Sequence, residues 1–487
     1  MNAKKFWEIF PGLTTWLSFL IPIVLSFFIP TAAAALFLVY TIYWLIKCLI
    51  MSWHLILGYF HYRKEIKIDW QWKLEEDFSD HWKSIYHLVI MPTYKEPVEV
   101  LDRAVGKLAR SNYLLAKVIF VLAIEERAGE EAVKRAEELK KRYGHFFGRF
   151  FITRHPVNIK NEIIGKGANI TYAAKELTKY ILKEKIDPLR VVVTTLDSDN
   201  QVHPQYLACL THRYIQNKDP RHTSFQPLPM YFNNIWQVPM PMRIVALGSS
   251  FWQMIESTRP RHLRNFSAHA QTLQTLIDVD YWSKVTIVED GHQFWRTYFY
   301  YHGNHLVVPI FVPIYQDAVW AGNYRDTFRE QYLQKKRWAW GVSDMPYVIM
   351  NTIKDKQLPR LYKWVNVGRL LEGHWAWATT SIFLVLIGWL PFLNHNFRTT
   401  IWAFNFPLIY SRLLTAAMLG MAITIIISTL LLPPRPKGHW PRMFVEWLLS
   451  PFLLPLTNII FGSLPAIDSQ TRLMLGKYLE YRVTVKK

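Results

Sequence analysis

Two cysteines, Cys48 and Cys209, are all that 487 residues contain. With no paired spacing and no convergent thiols, a disulfide framework and a cysteine-based metal cluster are both excluded. Charge is scarce as well, at 19% against 51% hydrophobic and 15% aromatic residues, and from residue 9 to residue 46 there is no charged side chain at all. That balance is more apolar than an ordinary soluble chain. No small-residue cleavage site leading into soluble sequence follows the stretch, so it does not read as a removable leader and is expected to stay in place. Nucleic-acid-binding motifs are missing too, despite a formal net charge of +20. Basic residues beside apolar segments have a simpler cause in membrane orientation and anionic lipid, and nucleic acid is not an expected partner.

What is present are apolar segments of membrane length. Residues 9–46 hold two helices of about 18 to 20 residues, enough to cross a bilayer core twice, with Pro30-Thr31 as the hairpin. Residues 375–394 and 406–432 are two further candidates, and 447–467 is a third in which Pro451 and Pro455 are expected to break the helix, giving a re-entrant or interfacial element. Lys4, Lys5, Arg63, Lys64, Lys67, Arg435, Lys437 and Arg442 flank these segments, and so do Arg472, Lys477, Arg482, Lys486 and Lys487 in the tail. Positive flanks favour the cytoplasmic side. Lys47, within the second span, is expected to snorkel at the inner boundary. The organisation read from this is an N-terminal transmembrane hairpin (1–61), a large cytoplasmic domain (62–345), interfacial helices (346–373), transmembrane helices (374–432), and a re-entrant or transmembrane segment with a basic tail (433–487).

In the large domain apolar runs alternate with charged helical stretches. Strands are expected at 87–91, 117–124 and 190–196, with helices at 98–110 and 130–143, a βαβαβ order that implies a parallel sheet with right-handed crossovers. Ligands bind such sheets at the carboxyl ends of strands, where Glu96, Glu125-Glu126 and Asp197-Ser198-Asp199 stand.

Two carboxylates one residue apart at a strand end, Asp197 and Asp199, suit a hard divalent cation on a diphosphate; the plain alternative is a solvated turn. Asp278-Val-Asp280 repeats the pattern in a less regular region. Lys166 lies between two glycines just before a helix expected to begin near Ala168, a place for a phosphate or merely an exposed lysine in a loop. Glu289-Asp290 follows an apolar run at 285–288, expected to be a strand, and offers either a proton-accepting carboxylate or a helix cap. In a helix, the spacing of Gln334, Arg337 and Trp338 places all three on one face: Gln and Arg for a diphosphate, the indole for a sugar ring. An interfacial amphipathic helix would look similar. His262, Phe266 and His269 precede Asp290 in a segment that is either a basic surface loop or an acceptor pocket wall.

The ordered set Pro-Thr-Tyr-Lys-Glu (92–96), an acidic second-strand end, Asp-Ser-Asp, Glu-Asp and Gln-Lys-Lys-Arg-Trp (334–338) resembles the membrane-bound members of glycosyltransferase family 2, which include the cellulose, chitin and hyaluronan synthases. The resemblance spans the large domain and its flanking membrane segments. It implies an α/β GT-A nucleotide-sugar domain inserted between N- and C-terminal transmembrane helices, in the plasma (inner) membrane. It further implies inverting transfer from a nucleotide sugar, with UDP the expected nucleotide, to a growing β-linked polysaccharide, or alternatively of one sugar to a membrane lipid.

By the same resemblance Asp290, beside Glu289, is the general base, and Asp197 and Asp199 hold Mg²⁺ or Mn²⁺. Gln334 and Arg337 receive the diphosphate and Trp338 borders the acceptor. Thr93, Tyr94, Glu96 and Glu125 hold base and ribose, and Lys166 and Asn169 approach the sugar-diphosphate. Two positions depart from the family pattern: Lys95 replaces the usual Asn, and Glu125-Glu126 replaces the Asp that opens the second motif. A polysaccharide-sensing or export subunit with a degenerate domain is the non-catalytic alternative.

Overall fold

A computed structural model describes residues 3–259, 261–434, 436 and 440–484. Arg435, Lys437, Lys486 and Lys487, counted above among the orienting charges, lie outside the described residues. Helices α1 (Ala3–Phe28) and α2 (Pro30–Glu65) form the hairpin, with Pro30 at the first position of α2, where a missing N–H costs nothing.

The domain runs α3 (Trp70–Phe78), β1 (Tyr86–Thr93), α4 (Val98–Leu108), β2 (Val118–Glu125), α5 (Glu130–Tyr143), β3 (Arg149–His155), α6 (Lys166–Lys183) and β4 (Val191–Thr195). It continues with β5 (Gln201–Val202), α7 (Tyr206–Gln216), β6 (Thr223–Met230), α8 (Met240–Ser257), β7 (Ala270–Thr272), α9 (Leu273–Asp278), α10 (Glu289–Tyr300), β8 (Leu306–Tyr315), α11 (Tyr324–Ala339) and α12 (Met345–Lys354). The eight strands form one sheet in the order β3-β2-β1-β4-β7-β6-β8-β5.

The expected parallel unit is present as β2-β1-β4, with β3 added in parallel at the edge. Beyond β4 the sheet is mixed, because β7 pairs antiparallel with both β4 and β6. All eight residues of β2 are buried, as a strand covered on both faces requires. Its side chains alternate between two cores. Phe120 and Leu122 join α4, α5 and α7 on one face, while Val121 joins Ile170, Leu177 and Ile181 of α6 on the other.

Residues 285–288 are not a strand. Ser283 and Thr286 hydroxyls accept from Val285 N–H and Val288 N–H at 3.4 and 3.3 Å, a local alternative to sheet pairing. Glu289 and Asp290 therefore open a helix, α10, instead of ending a strand.

After the domain come α13 (Arg360–Val385), α14 (His395–Arg398), α15 (Ile401–Leu431), α16 (Trp440–Asn458) and α17 (Leu464–Met474). Among the described residues four helical stretches are long and apolar enough to cross a membrane: Ala3–Phe28, Pro30–Glu65, Ile401–Leu431 and Leu448–Met474. Arg360–Val385 and Ile387–Leu393, bent by 47°, make a fifth if taken as one. Pro451 and Pro455 sit inside α16 without ending it, contrary to expectation; the irregularity is a π turn at Ile459–Ser463. A helix in lipid finds its backbone hydrogen bonds nowhere else, which favours continuation past a proline.

The hairpin is fastened to the domain by the end of α2. Buried Glu65 accepts from Arg213 at 2.7 Å and from Phe311 N–H at 3.3 Å. Four residues inside α2 from Tyr62, Gly58 lies directly on α8. A Cβ there would stand 2.4 Å from Met254 Cγ and 2.9 Å from Met254 O. Gly58→Ala is expected to destabilise the protein by about 1–3 kcal/mol through overpacking against backbone. Gly368→Ala, with nothing within 4 Å, is expected to be neutral or slightly stabilising. Thermal unfolding of the two detergent-solubilised variants checks both.

Candidate active site

The carboxyl ends of β1, β2 and β4, the first turns of α6 and α10, and one face of α11 enclose a polar centre above the sheet. Lys166 starts α6 and is buried at 8% exposure. Its position depends on Gly167: a Cβ there would lie 2.4 Å from Ser283 O and 3.1 Å from Glu289 Cβ, so only glycine lets α6 approach α10 this closely.

The Lys166 ammonium lies 2.9 Å from Asp197 Oδ1, 3.1 and 3.2 Å from the two Asp290 oxygens, and 3.6 Å from Glu289 Oε1. Burial works against its charge, yet the fields of Asp197, Asp290 and Glu289 outweigh it and hold its pKa well above the ordinary lysine value. Glu289 is the opposite case. Burial first, then Asp290 beside it, push it from 4.5 up to about 7, with Lys166 pulling the other way.

The rest of the cluster is set by neutral donors. Ser267 Oγ–H donates to Asp197 Oδ2 at 2.5 Å, and Asp197 N–H donates to Asn200 Oδ1 at 2.9 Å. His269 Nε2 accepts from the Trp282 indole at 3.1 Å, so its proton sits on Nδ1, 2.9 Å from Phe266 O and 3.7 Å from Asp290 Oδ1. Burial lowers the His269 pKa, which keeps the ring neutral.

Asp199 accepts Asp317 N–H at 3.0 Å and is buried beside Tyr231. Among the described residues no three His, Cys, Asp or Glu side chains converge as metal ligands. The pair expected to hold a cation, Asp197 and Asp199, is a set of two carboxylates. That donor set fits Mg²⁺ or Mn²⁺ completed by diphosphate oxygens and water, and does not fit an all-protein cage.

At the β1 and β2 ends the side chains are braced against one another. Glu96 accepts from Thr93 Oγ1–H at 2.8 Å and Tyr94 N–H at 2.6 Å. Glu125 is held in an Arg127 fork at 2.5 and 3.1 Å, and the Arg127 guanidinium lies 4.1 Å over the Tyr94 ring. On α11, buried Gln334 accepts from Gln331 Nε2–H at 3.1 Å, while Trp338 packs on Tyr231 with ring centroids 5.9 Å apart. Lys335 stands 4.3 Å over the Trp338 ring and donates to Ser249 at 2.8 Å; burial lowers its pKa to about 7.

The C-terminal tail closes this side. Tyr481 packs against Gly165 with its ring 5.6 Å from the Arg337 guanidinium, and Arg482 pairs with Glu330 of α11.

The structure thus gathers Asp197, Glu289 and Asp290 around Lys166, with His269 beside Asp290 and Asp199 two residues along the chain from Asp197. Thr93, Tyr94, Glu96, Glu125, Gln334, Arg337 and Trp338 stand at the rim. Asn169 does not: it is 1% exposed and its amide donates to Ala123 O at 2.8 Å, beneath the site. His262 lies instead with Glu256, 4.0 Å away, in a basic cluster at the end of α8. Ser267, Tyr231, Arg127 and Tyr481 were not anticipated. Ser267 sits between two residues that were, and Arg127 follows the acidic pair by one position, but nothing in the local sequence marks Tyr231 or Tyr481.

No family model matches the chain, and neither does any curated protein sequence. Among solved structures it is similar to mannosyltransferase PcManGT from Pyrobaculum calidifontis in complex with GDP-Man and Mn²⁺, at 13% identity over 88% of this chain and 100% of that one, with a TM-score of 0.43. It is also similar to S. aureus TarS 1-349 in complex with UDP-GlcNAc, at 12% identity, 82% and 93% coverage and a TM-score of 0.39. A third similar structure is GalNAc-T7 with UDP, GalNAc and Mn²⁺, at 12% identity, 63% and 57% coverage and a TM-score of 0.31. Likenesses this distant carry no residue roles.

Folded Glu289 keeps its proton to about pH 7, while the unfolded chain releases it near 4.5. The folded state then binds more protons between those values, and this residue's contribution to stability falls as pH rises through that window. Glu289→Gln, which mimics the protonated form, is expected to match wild type near pH 4.5 and to exceed it by up to about 3 kcal/mol at about pH 8. Thermal unfolding across that range checks it; a pH-independent difference would contradict the assignment.

Proposed function

We propose that this chain is an integral-membrane glycosyltransferase that moves a sugar, with inversion, from a nucleotide sugar to an acceptor at the cytoplasmic face of the plasma (inner) membrane. One observation carries the reading: Asp197 of the β4 end and Asp290 of the α10 start lie within reach of a single buried ammonium, 2.9 and 3.1 Å from Lys166 Nζ. From there one carboxylate can serve a donor diphosphate and the other an attacking hydroxyl at a shared reaction centre.

In this reading Asp290 takes the proton of the acceptor hydroxyl as its oxygen bonds to the anomeric carbon, and the bond from that carbon to the diphosphate breaks. Mg²⁺ or Mn²⁺, held by Asp197 and Asp199, would offset charge on the departing diphosphate. Arg337 and Gln334 meet that charge from α11, and Lys166 keeps Asp290 and Asp197 in register. Trp338, backed by Tyr231 and Lys335, gives a sugar ring a flat apolar face. Tyr94, under Arg127, stands where a base would stack.

The complete carboxylate set argues against a degenerate, sensing-only domain. The acceptor of first choice is a growing β-linked polysaccharide, as the Gln-x-x-Arg-Trp pattern on α11 implies. A lipid-borne acceptor is favoured by a different feature, an open apolar groove of about 570 Å³ between α8 and α16, lined by Pro239, Met240, Tyr324, Leu449 and Leu453.

The test is release of nucleoside diphosphate from UDP- and GDP-sugars by the detergent-purified protein with Mg²⁺ or Mn²⁺. Asp290→Asn is expected to lower turnover about a thousandfold with donor binding retained, and chelation to abolish it. Product size separates polymer from single transfer. Wild-type turnover in Asp290→Asn would overturn the assignment of the base, and a folded protein in lipid with no turnover on any donor would overturn the transferase reading.

A further inference from the structure

Arginines gather where α8 ends. Arg259 and Arg264 of the following segment and Arg369 of α13 act on one carboxylate, Glu256, with His54 and His262 beside them, and the Arg261 carbonyl accepts from Arg369. Glu256 is taken by Arg259 at 2.9 Å. The other three guanidinium groups meet only neutral acceptors among the described residues. Arg261 donates to the Tyr362 hydroxyl, Arg264 to Asn366 Oδ1 at 3.1 Å, and Arg369 to Arg261 O at 3.3 Å. Burial, followed by Arg259, Arg369 and Arg264, lowers the His262 pKa to about 3, so it adds no charge. Arg264 is wedged against the rings of Phe294 and Trp295, and burial lowers its pKa to about 10 against the pull of Glu256, which it shares with Arg259 and Arg369. Arg261 has a left-handed backbone, φ 67°, which an L side chain adopts only at a cost.

The depth of this cluster is fixed by its neighbours. Lys47 of α2 pairs with Glu372 of α13, and one turn back along α13, toward its polar end, is Arg369. His54, two turns further along α2, bonds Thr258 at the end of α8 at 2.9 Å. The apolar part of α13 begins only at Trp375. Trp53, Trp252, Leu361, Tyr362 and Trp364 are exposed around the cluster, the aromatic and apolar residues expected where a protein meets headgroups. Arginine forks are built for phosphate oxygens, and at headgroup depth the available phosphate is on a lipid.

We infer that Arg261 and Arg369, supported by Arg259 and Arg264, form a binding site for the phosphate of an anionic inner-leaflet lipid. The site is separate from the carboxylate centre; it rests on the membrane placement proposed above and not on Asp290 being a base. Arg264 is nonetheless only three residues from Ser267, the partner of Asp197, so lipid bound there would brace the segment that orders the centre.

The test uses the full chain in phosphatidylcholine nanodiscs doped with phosphatidylglycerol or with a polyprenyl monophosphate, and reads lipid retained after release by native mass spectrometry, with no turnover involved. Wild type is expected to retain a doped phosphate lipid over phosphatidylcholine, and the Arg261→Ala/Arg369→Ala pair to retain about tenfold less. Lysine at both positions should restore part of it, because charge returns without the fork. Lys354→Ala/Lys356→Ala, a basic pair elsewhere, should change nothing. Preference for the polyprenyl phosphate assigns the site to an isoprenoid carrier, and equal retention of both assigns it to anionic lipid in general. Displacement by millimolar inorganic phosphate would overturn a lipid ligand, as would undiminished retention in a double variant with a wild-type melting curve. Should the alanine pair not fold, Arg369→Gln alone is expected to lose several-fold, and no loss there overturns the site.

Discussion

An ammonium group out of water has to be neutralised on the spot, and in this chain three carboxylates from two elements share that task around Lys166. Isolated, such a charge would be prohibitive; paired badly, it would still cost more than its attraction returns. The arrangement therefore demands register from everything beneath it. α6 must approach α10 through Gly167, β4 must end where Asp197 meets both Lys166 and Ser267, and the sheet that carries them must not give. The fully buried β2 and the two cores it divides supply that stiffness. Glu289 absorbs the remaining excess of negative charge by holding a proton that an exposed glutamate would lose.

Much of this was legible in the residues. The β-branched run before Asp197, the charged helix over Glu130–Tyr143 and the apolar first and second strands each state their own structure through periodicity and burial, and all four lie where they were expected. The residues flanking Lys166 likewise marked a helix start. What failed was local competition. The run at 285–288 has strand-like side chains, but serine and threonine hydroxyls capture its amides. Pro451 and Pro455 look like helix breakers because water usually offers the chain an alternative, and an apolar helix of membrane character has none. Tyr231, Tyr481 and the Arg259–Arg369 grouping come from segments far apart in the chain, and no window of sequence contains such contacts.

The segments outside the domain are structural parts of the centre. α17 lies between α1 and α11: Gln470 accepts from Thr15 at 2.6 Å on one side, while Asp468 pairs with Lys336 at 3.0 Å on the other. Through these contacts the first helix and the last support the helix that carries Gln334, Arg337 and Trp338. The tail continues from α17 across the same face, so Tyr481 reaches Gly165 at the head of α6.

The hairpin raises a different matter of scale. α2 is one unbroken helix of 36 residues, about 54 Å at the usual rise, against a hydrocarbon core of about 30 Å. Its last turn is buried in the domain through Glu65, and its middle is fixed to α13 and α15. In the proposed membrane placement such a strut would set the standing height of the carboxylate centre above the acyl chains, and the helix has no break to vary it. In that placement a mismatch in thickness would be passed along α2 to α8 and the Arg-rich segment through contacts such as His54 with Thr258.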